Sequence, residues 1–220
     1  MPVWQQLFDS LQDENFMVVA VAEDSRGAEA ARPWIEAANP TYWSLIDPSH
    51  RVAALYGMVN VPQAVWIDEA GVMVRPPETA GSTDHFRGMD LATRTLAPDA
   101  AKARIAARVA YMDAVRAWAR TGAHALPGDA ARAALPALNP DIAMAHAEFR
   151  LGVWLRNAGR PEEAAVALAE ASRLHPDSWN MWRQAADLEQ VGKSGGPEFW
   201  ARVAALGERA YYPPPALPGF

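Results

Sequence analysis

The dipeptide Val61-Pro62 restricts the fold of this chain more than any other pair of residues in it. Pro62 has no N–H to give to a sheet, so it must open a strand rather than sit inside one. The apolar run Ala64–Ile67 that follows is that strand. Asp68-Glu69-Ala70-Gly71 is a tight-turn signal, and Val72, Met73 and Val74 return as a second strand. On the other side, Pro48 presets the first turn of a short helix in which Val52, Leu55 and Tyr56 share a face. Gly57 is placed to end that helix with positive φ. Residues 47–75 therefore run helix, X-Pro bond, hairpin.

The stretch ahead of them alternates in the same way. Residues 3–14 carry Val3, Leu7 and Leu11 on one helical face, with Trp4 and Phe8 beside them. Phe16–Ala22 is a continuous apolar run, as in a strand covered on both faces of a parallel sheet. Asp24-Ser25 is placed to cap a helix through Ala38, which Pro33 either kinks or starts. Asn39-Pro40 breaks it, and Tyr42–Ile46 is a short strand. Helix and strand alternate, an α/β pattern.

Asp47-Pro48, Ala54-Leu55-Tyr56-Gly57, Val61-Pro62, Trp66-Ile67-Asp68 and Gly71 together resemble the second half of a thioredoxin-like domain of the TlpA/ResA type. These are thiol-disulfide oxidoreductases of the peroxiredoxin superfamily. The resemblance implies that Val61 and Pro62 form the cis-proline loop, one wall of a substrate groove beside a redox dithiol. On the residues alone, a trans proline opening a strand is the favoured reading, because cis is a minority state of X-Pro bonds. Met1-Pro2-Val3-Trp4-Gln5-Gln6-Leu7 matches the continuation of the family's dithiol-bearing helix, so the chain is expected to start a few residues after the place of the Cys-x-x-Cys. By the same resemblance, Phe16–Ala22 and Ala64–Ile67 lack a shared central strand. Three outcomes follow: the two pair directly, another chain fills the gap, or the domain is marginal and aggregation-prone. A truncated gene is the simplest account.

The chain has 220 residues and no cysteine. That excludes a disulfide, a thiolate nucleophile and a Cys-ligated metal within it, so an oxidoreductase of this family is redox-inactive as written. The histidines at 50, 85, 124, 146 and 175 fall on separate elements, and no catalytic residue, metal site or cofactor is assigned. Ser25-Arg26-Gly27 and Gly81-Ser82-Thr83 lack the glycine and lysine spacing of a phosphate loop. Asp47, Asp68 and Glu69 suit caps and turns. Net charge −6 provides no basic field for nucleic acid. No apolar run nears the ~20 residues that span a bilayer. No export signal precedes the domain, so the chain as written is cytoplasmic, or periplasmic or membrane-tethered if an upstream segment is missing.

Residues 76–98 read as a linker of loop character. From Pro98-Asp99 the chain is Ala-rich and helical, with Ile105, Val109, Met112 and Val115 at helical spacing. Leu151-Gly152, Leu155, Gly159, Ala164, Leu168, Ala171 and Pro176 stand at the offsets of a tetratricopeptide repeat, with Gly159-Arg160-Pro161 as its turn. Pro127 to Ala137, 34 residues earlier, and Trp182 with Pro197-Glu198 downstream read as degenerate neighbours. His146 and Trp182 suit either a concave repeat surface or the core. Pro213–Phe220 reads as an extended, untethered tail, or as a polyproline ligand.

The fold class expected is thus α/β then all-α: an incomplete thioredoxin-like domain at 1–98, TPR-like helical repeats at 99–212 and a Pro-rich tail at 213–220. Two functions compete. One is a thioredoxin-family antioxidant-like protein that has lost its redox centre. The other is a non-enzymatic module whose repeats hold a protein or peptide partner.

Overall fold

A computed structural model describes residues 2–137, 139–186 and 195–220. The chain is mixed α/β with a helical C-terminal region: α1 (Pro2–Asp9), β1 (Val19–Ala22), α2 (Ala28–Ala38), β2 (Trp43–Ile46), α3 (Arg51–Tyr56), β3 (Gln63–Ile67), β4 (Met73–Thr79), a 3-10 turn at Asp84–Gly88, α4 (Pro98–Thr121), α5 (Ala130–Ala133), α6 (Pro140–Asn157), α7 (Pro161–Leu174), α8 (Trp179–Ala185) and α9 (Pro197–Ala204). Two compact units form. One comprises Met1–Gln5, Met17–Val61 and Pro136–Glu198, and the other Gln6–Phe16, Pro62–Leu135 and Phe199–Phe220. Each draws on both sides of residue 98, so the units do not divide at the boundary read from the sequence.

In the first unit β1 pairs in parallel with β2, Val19 opposite Trp43 and Ala22 opposite Ile46. The helical part of this unit is a hairpin. Asn139 caps α6 by accepting the Asp141 N–H, and Pro140 fills the first helical position. Pro161 starts α7, with Glu162 and Glu163 in its first turn, where the helix dipole favours acids. The two helices close on Ala145, Phe149, Val153, Leu168 and Ala171, with Met181 of α8 completing the cluster. Ser178 caps α8 by accepting the Met181 N–H.

In the second unit β3 and β4 form the expected antiparallel hairpin. Asp68 accepts the N–H groups of Ala70 and Val72 at its turn. Trp66 is the centre of the core: its indole N–H donates to the Tyr111 hydroxyl at 3.0 Å, and it stacks on Trp118 at 5.1 Å. The guanidinium of Arg75 lies 5.4 Å above the same indole. Gly81, at φ +75°, lets the chain pass α4 where a Cβ would stand 3.0 Å from the Arg108 Cα.

Several expectations are corrected here. β4 continues through Pro76 and Pro77 to Thr79, and Ala80 and Gly81 are buried, so residues 76–81 are structure rather than linker. The prolines fall in a bulge: Ala64 and Trp66 flank Val65, while their partners Glu78 and Arg75 flank Pro76-Pro77. A bulge needs no ladder bond from them. Pro48 precedes the helix it was to open. α3 starts at Arg51 after His50, which takes a left-handed conformation, while Asp47 caps it by accepting the Val52 N–H. α1 ends at Asp9 and β1 begins only at Val19. Ser25 does not cap α2, which follows Gly27 and holds Pro33 inside it. The upstream repeat is reduced to the single turn of α5, which belongs to the second unit. The long turn proposed before Pro197 lies largely outside the described residues. The segment from residue 211 on is not untethered: Tyr211, Pro215 and Leu217 are buried.

Candidate functional site

The carboxyl ends of β1 and β2 lie side by side, as their parallel register requires, and in open α/β sheets that edge is where ligands gather. Glu23, Asp24 and Ser25 leave β1, and Asp47 to His50 leave β2. The Glu23 and His50 side chains are each 5% exposed, with Oε2 and Nδ1 3.8 Å apart. That separation is too long for a hydrogen bond. Asn180 of α8 donates to Glu23 Oε2 at 3.1 Å. Glu23 Oε1 and both ring nitrogens of His50 have no partner, and the His50 ring instead meets Phe149 of α6 edge-on at 4.8 Å.

Burial sets the charges. It pushes the Glu23 carboxyl up to about 7, helped by the negative Asp47 and opposed by a hydrogen bond from the Ala53 backbone. Burial likewise pushes the His50 imidazole down to about 4, against the pull of Asp47 and Asp24. The imidazole is thus neutral at pH 7, and the contact is not an ion pair. Beside it, the Ser25 hydroxyl bonds the Gln184 amide oxygen and accepts from Arg156 Nη2 at 2.6 Å. Arg183 donates to Asn60 Oδ1 at 3.1 Å. An amide and a guanidinium are not bases, so nothing here activates the serine. Among the described residues no group of three or more His, Asp or Glu is placed to hold a metal ion.

A second feature of this unit lies on α6. Met144, Ala147, Leu151, Trp154 and Ala158 fall on one helical face and all are exposed. Met144 is 54% exposed, Leu151 46% and Trp154 59%. The opposite face, with Ala145, Phe149 and Val153, is the one buried against α7. The helix is therefore apolar on two sides, and one of them is uncovered.

Val61 is 42% exposed, and its N–H bonds the side chain of the preceding Asn60. Pro62 stands one residue before β3, as a strand-opening proline should, and its carbonyl accepts from Ala80 at 3.4 Å. Of the five histidines, 50, 146 and 175 belong to the first unit, and the rings of His146 and His175 are 6.2 Å apart. Burial lowers His146 to about 4 and lowers His175 as well. His85 is exposed, bonding Thr83 at 2.8 Å. Glu23, Asn180, Gln184 and Arg156 were not singled out in the sequence. The one available signal was Glu23-Asp24 directly after an apolar strand, where the carboxyl edge of a parallel sheet falls.

No protein-family model, curated protein or solved structure matches the chain.

Proposed function

We propose that this chain is a non-catalytic protein-interaction module with a thioredoxin-like α/β portion, and that it holds its partner on the exposed face of α6. The observation that carries the reading is the uncharged stripe Met144, Ala147, Leu151, Trp154 and Ala158, left uncovered on a helix whose other face is fully packed. Exposed contiguous apolar surface of this kind marks interaction sites. The stripe suits the apolar face of an amphipathic helix, met at spacings of three, four and seven residues.

The thioredoxin-like ancestry is supported by element order and strand pairing. β1 ladders only with β2 and β3 only with β4 among the described residues, which leaves one edge of each open. The resemblance puts the absent central strand beside two of them, β1 and β3. With no thiol in the chain, a substrate-groove role for Val61 and Pro62 would be one of binding rather than redox chemistry.

Selection of a displayed peptide library on the intact chain tests the module. Binders should weaken at least tenfold with Leu151→Asp or Trp154→Asp and should be indifferent to Trp34→Asp, a still more exposed tryptophan elsewhere in the unit. Binders untouched by both α6 variants reject the α6 face. Insulin reduction by the chain above a no-protein control would reject the loss of redox activity.

A further inference from the structure

We propose that β4 and the 3-10 turn at Asp84–Gly88 form a binding site for extended Pro-rich peptides, occupied here by the chain's own residues 211–217. The polar pairing matches such a ligand group by group. A proline-rich strand has almost no N–H to offer and leaves its carbonyls to be reached by side chains. Thr79 Oγ1 donates to the Pro213 carbonyl at 3.2 Å, and Arg75 Nη2 donates to the Ala216 carbonyl at 3.0 Å. Of the segment's four N–H groups, three meet a carboxylate, and the fourth, Leu217, turns back to the Pro215 carbonyl at 2.8 Å. Asp84 accepts from Tyr211 at 2.8 Å and from Tyr212 at 2.6 Å, and Glu78 accepts from Ala216 at 3.2 Å.

These receptor groups are also tied to one another. Glu78 is bridged twice by Arg75, and Asp84 pairs with Arg87 at 3.4 Å. Arg87 also donates to the carbonyls of Gly207 and Arg209, which aims the segment at the site. Apolar contacts complete the fit: Tyr211 packs edge-on against Phe86 at 5.0 Å and Phe199 at 5.8 Å, while Pro215 and Leu217 are buried further along. Donors aimed at carbonyls beside an aromatic pocket are the usual means of reading polyproline. A tethered occupant has an effective concentration on the order of millimolar, so a peptide from another molecule binds only by displacing it. This site is separate from the α6 stripe and stands or falls without it.

The test uses a fluorescein-labelled peptide of residues 211–220, a scrambled control, and the whole chain carrying Tyr211→Ser and Leu217→Ser to loosen the resident segment. Saturable binding to the loosened chain, at least tenfold tighter than to the unmodified chain and abolished by adding Asp84→Asn, is expected. A folded loosened chain that ignores the peptide, or takes the scrambled one equally, overturns the proposal. If the loosened chain does not fold, hydrogen exchange on the single Asp84→Asn variant decides. Exchange of the Tyr211 and Tyr212 amides should rise at least tenfold while α4 amides stay unchanged, and unchanged Tyr211 and Tyr212 exchange overturns the site.

Discussion

Gly152 and Leu168 bring α6 and α7 together so closely that a Cβ on Gly152 would stand 2.6 Å from Leu168 Cγ and 3.1 Å from its backbone nitrogen. The first clash is with a side chain, but the second is with backbone that cannot step aside without moving α7. Gly152→Ala should therefore destabilise the chain by about 1–3 kcal/mol, the range for overpacking a filled core, despite the better helix propensity of alanine. Denaturant unfolding measures it. Adding Leu168→Ala should recover only part of the loss, because the backbone contact persists.

Glu23 and His50 give a pH signature through their variants. The folded chain holds Glu23 at about 7 against 4.5 for an ordinary glutamate, so between those values it keeps a proton that the unfolded chain has released. Stability from Glu23 therefore falls as pH rises through that window. His50 sits at about 4 against 6.5, so there the unfolded chain holds the extra proton and stability rises with pH. Between about 4.5 and 6.5 the two slopes offset. Glu23→Gln should rise more steeply than the parent across that range, and His50→Asn should rise less or fall up to pH 7. Asparagine tolerates the left-handed backbone of residue 50. Melting temperatures of the three chains from pH 4.5 to 7.5 check the signs. Parallel profiles would refute the opposed shifts of Glu23 and His50.

Trp66 and Tyr111 make a simpler prediction. Tyr111→Phe keeps the ring and leaves the buried indole N–H without its acceptor, which should cost about 1–3 kcal/mol. The change should also shift the tryptophan emission, since Trp66 stacks on Trp118 beside that bond.

Arg75 is 2% exposed, and its guanidinium is shared between Glu78 and the carbonyls of His124 and Ala216. Arg75→Met would strand the Glu78 carboxylate in a nearly buried position, so a loss of about 3–5 kcal/mol is expected. Arg75→Met/Glu78→Gln should recover part of that loss in the same unfolding assay.

Local chemistry made much of this legible. Gly57 ends α3 at φ +67° as expected, and Asp68 builds the hairpin turn. The α6–α7 hairpin was visible because Gly152, Ala164 and Pro161 each have a steric reason to be where they are. What failed depends on partners far away in sequence. Pro76-Pro77 looked like a loop because nothing near them reveals a bulge opposite Val65. The Pro213 segment looked loose because its ties are side chains more than a hundred residues upstream, at Arg75, Thr79 and Asp84. Glu23 and His50 are unremarkable in sequence, and become a site only when parallel pairing brings two strand ends together.

The two compact units exchange the chain five times, at 5/6, 16/17, 61/62, 135/136 and 198/199. During synthesis, therefore, the first unit has β1, β2 and α3 in hand long before α6, α7 and α8 leave the ribosome. The second waits longer still, for Phe199 and Tyr211. Loop-closure entropy must be met before either core gains its packing. Each core then closes only late in the emergence of these 220 residues, and the early strands spend the wait with open edges.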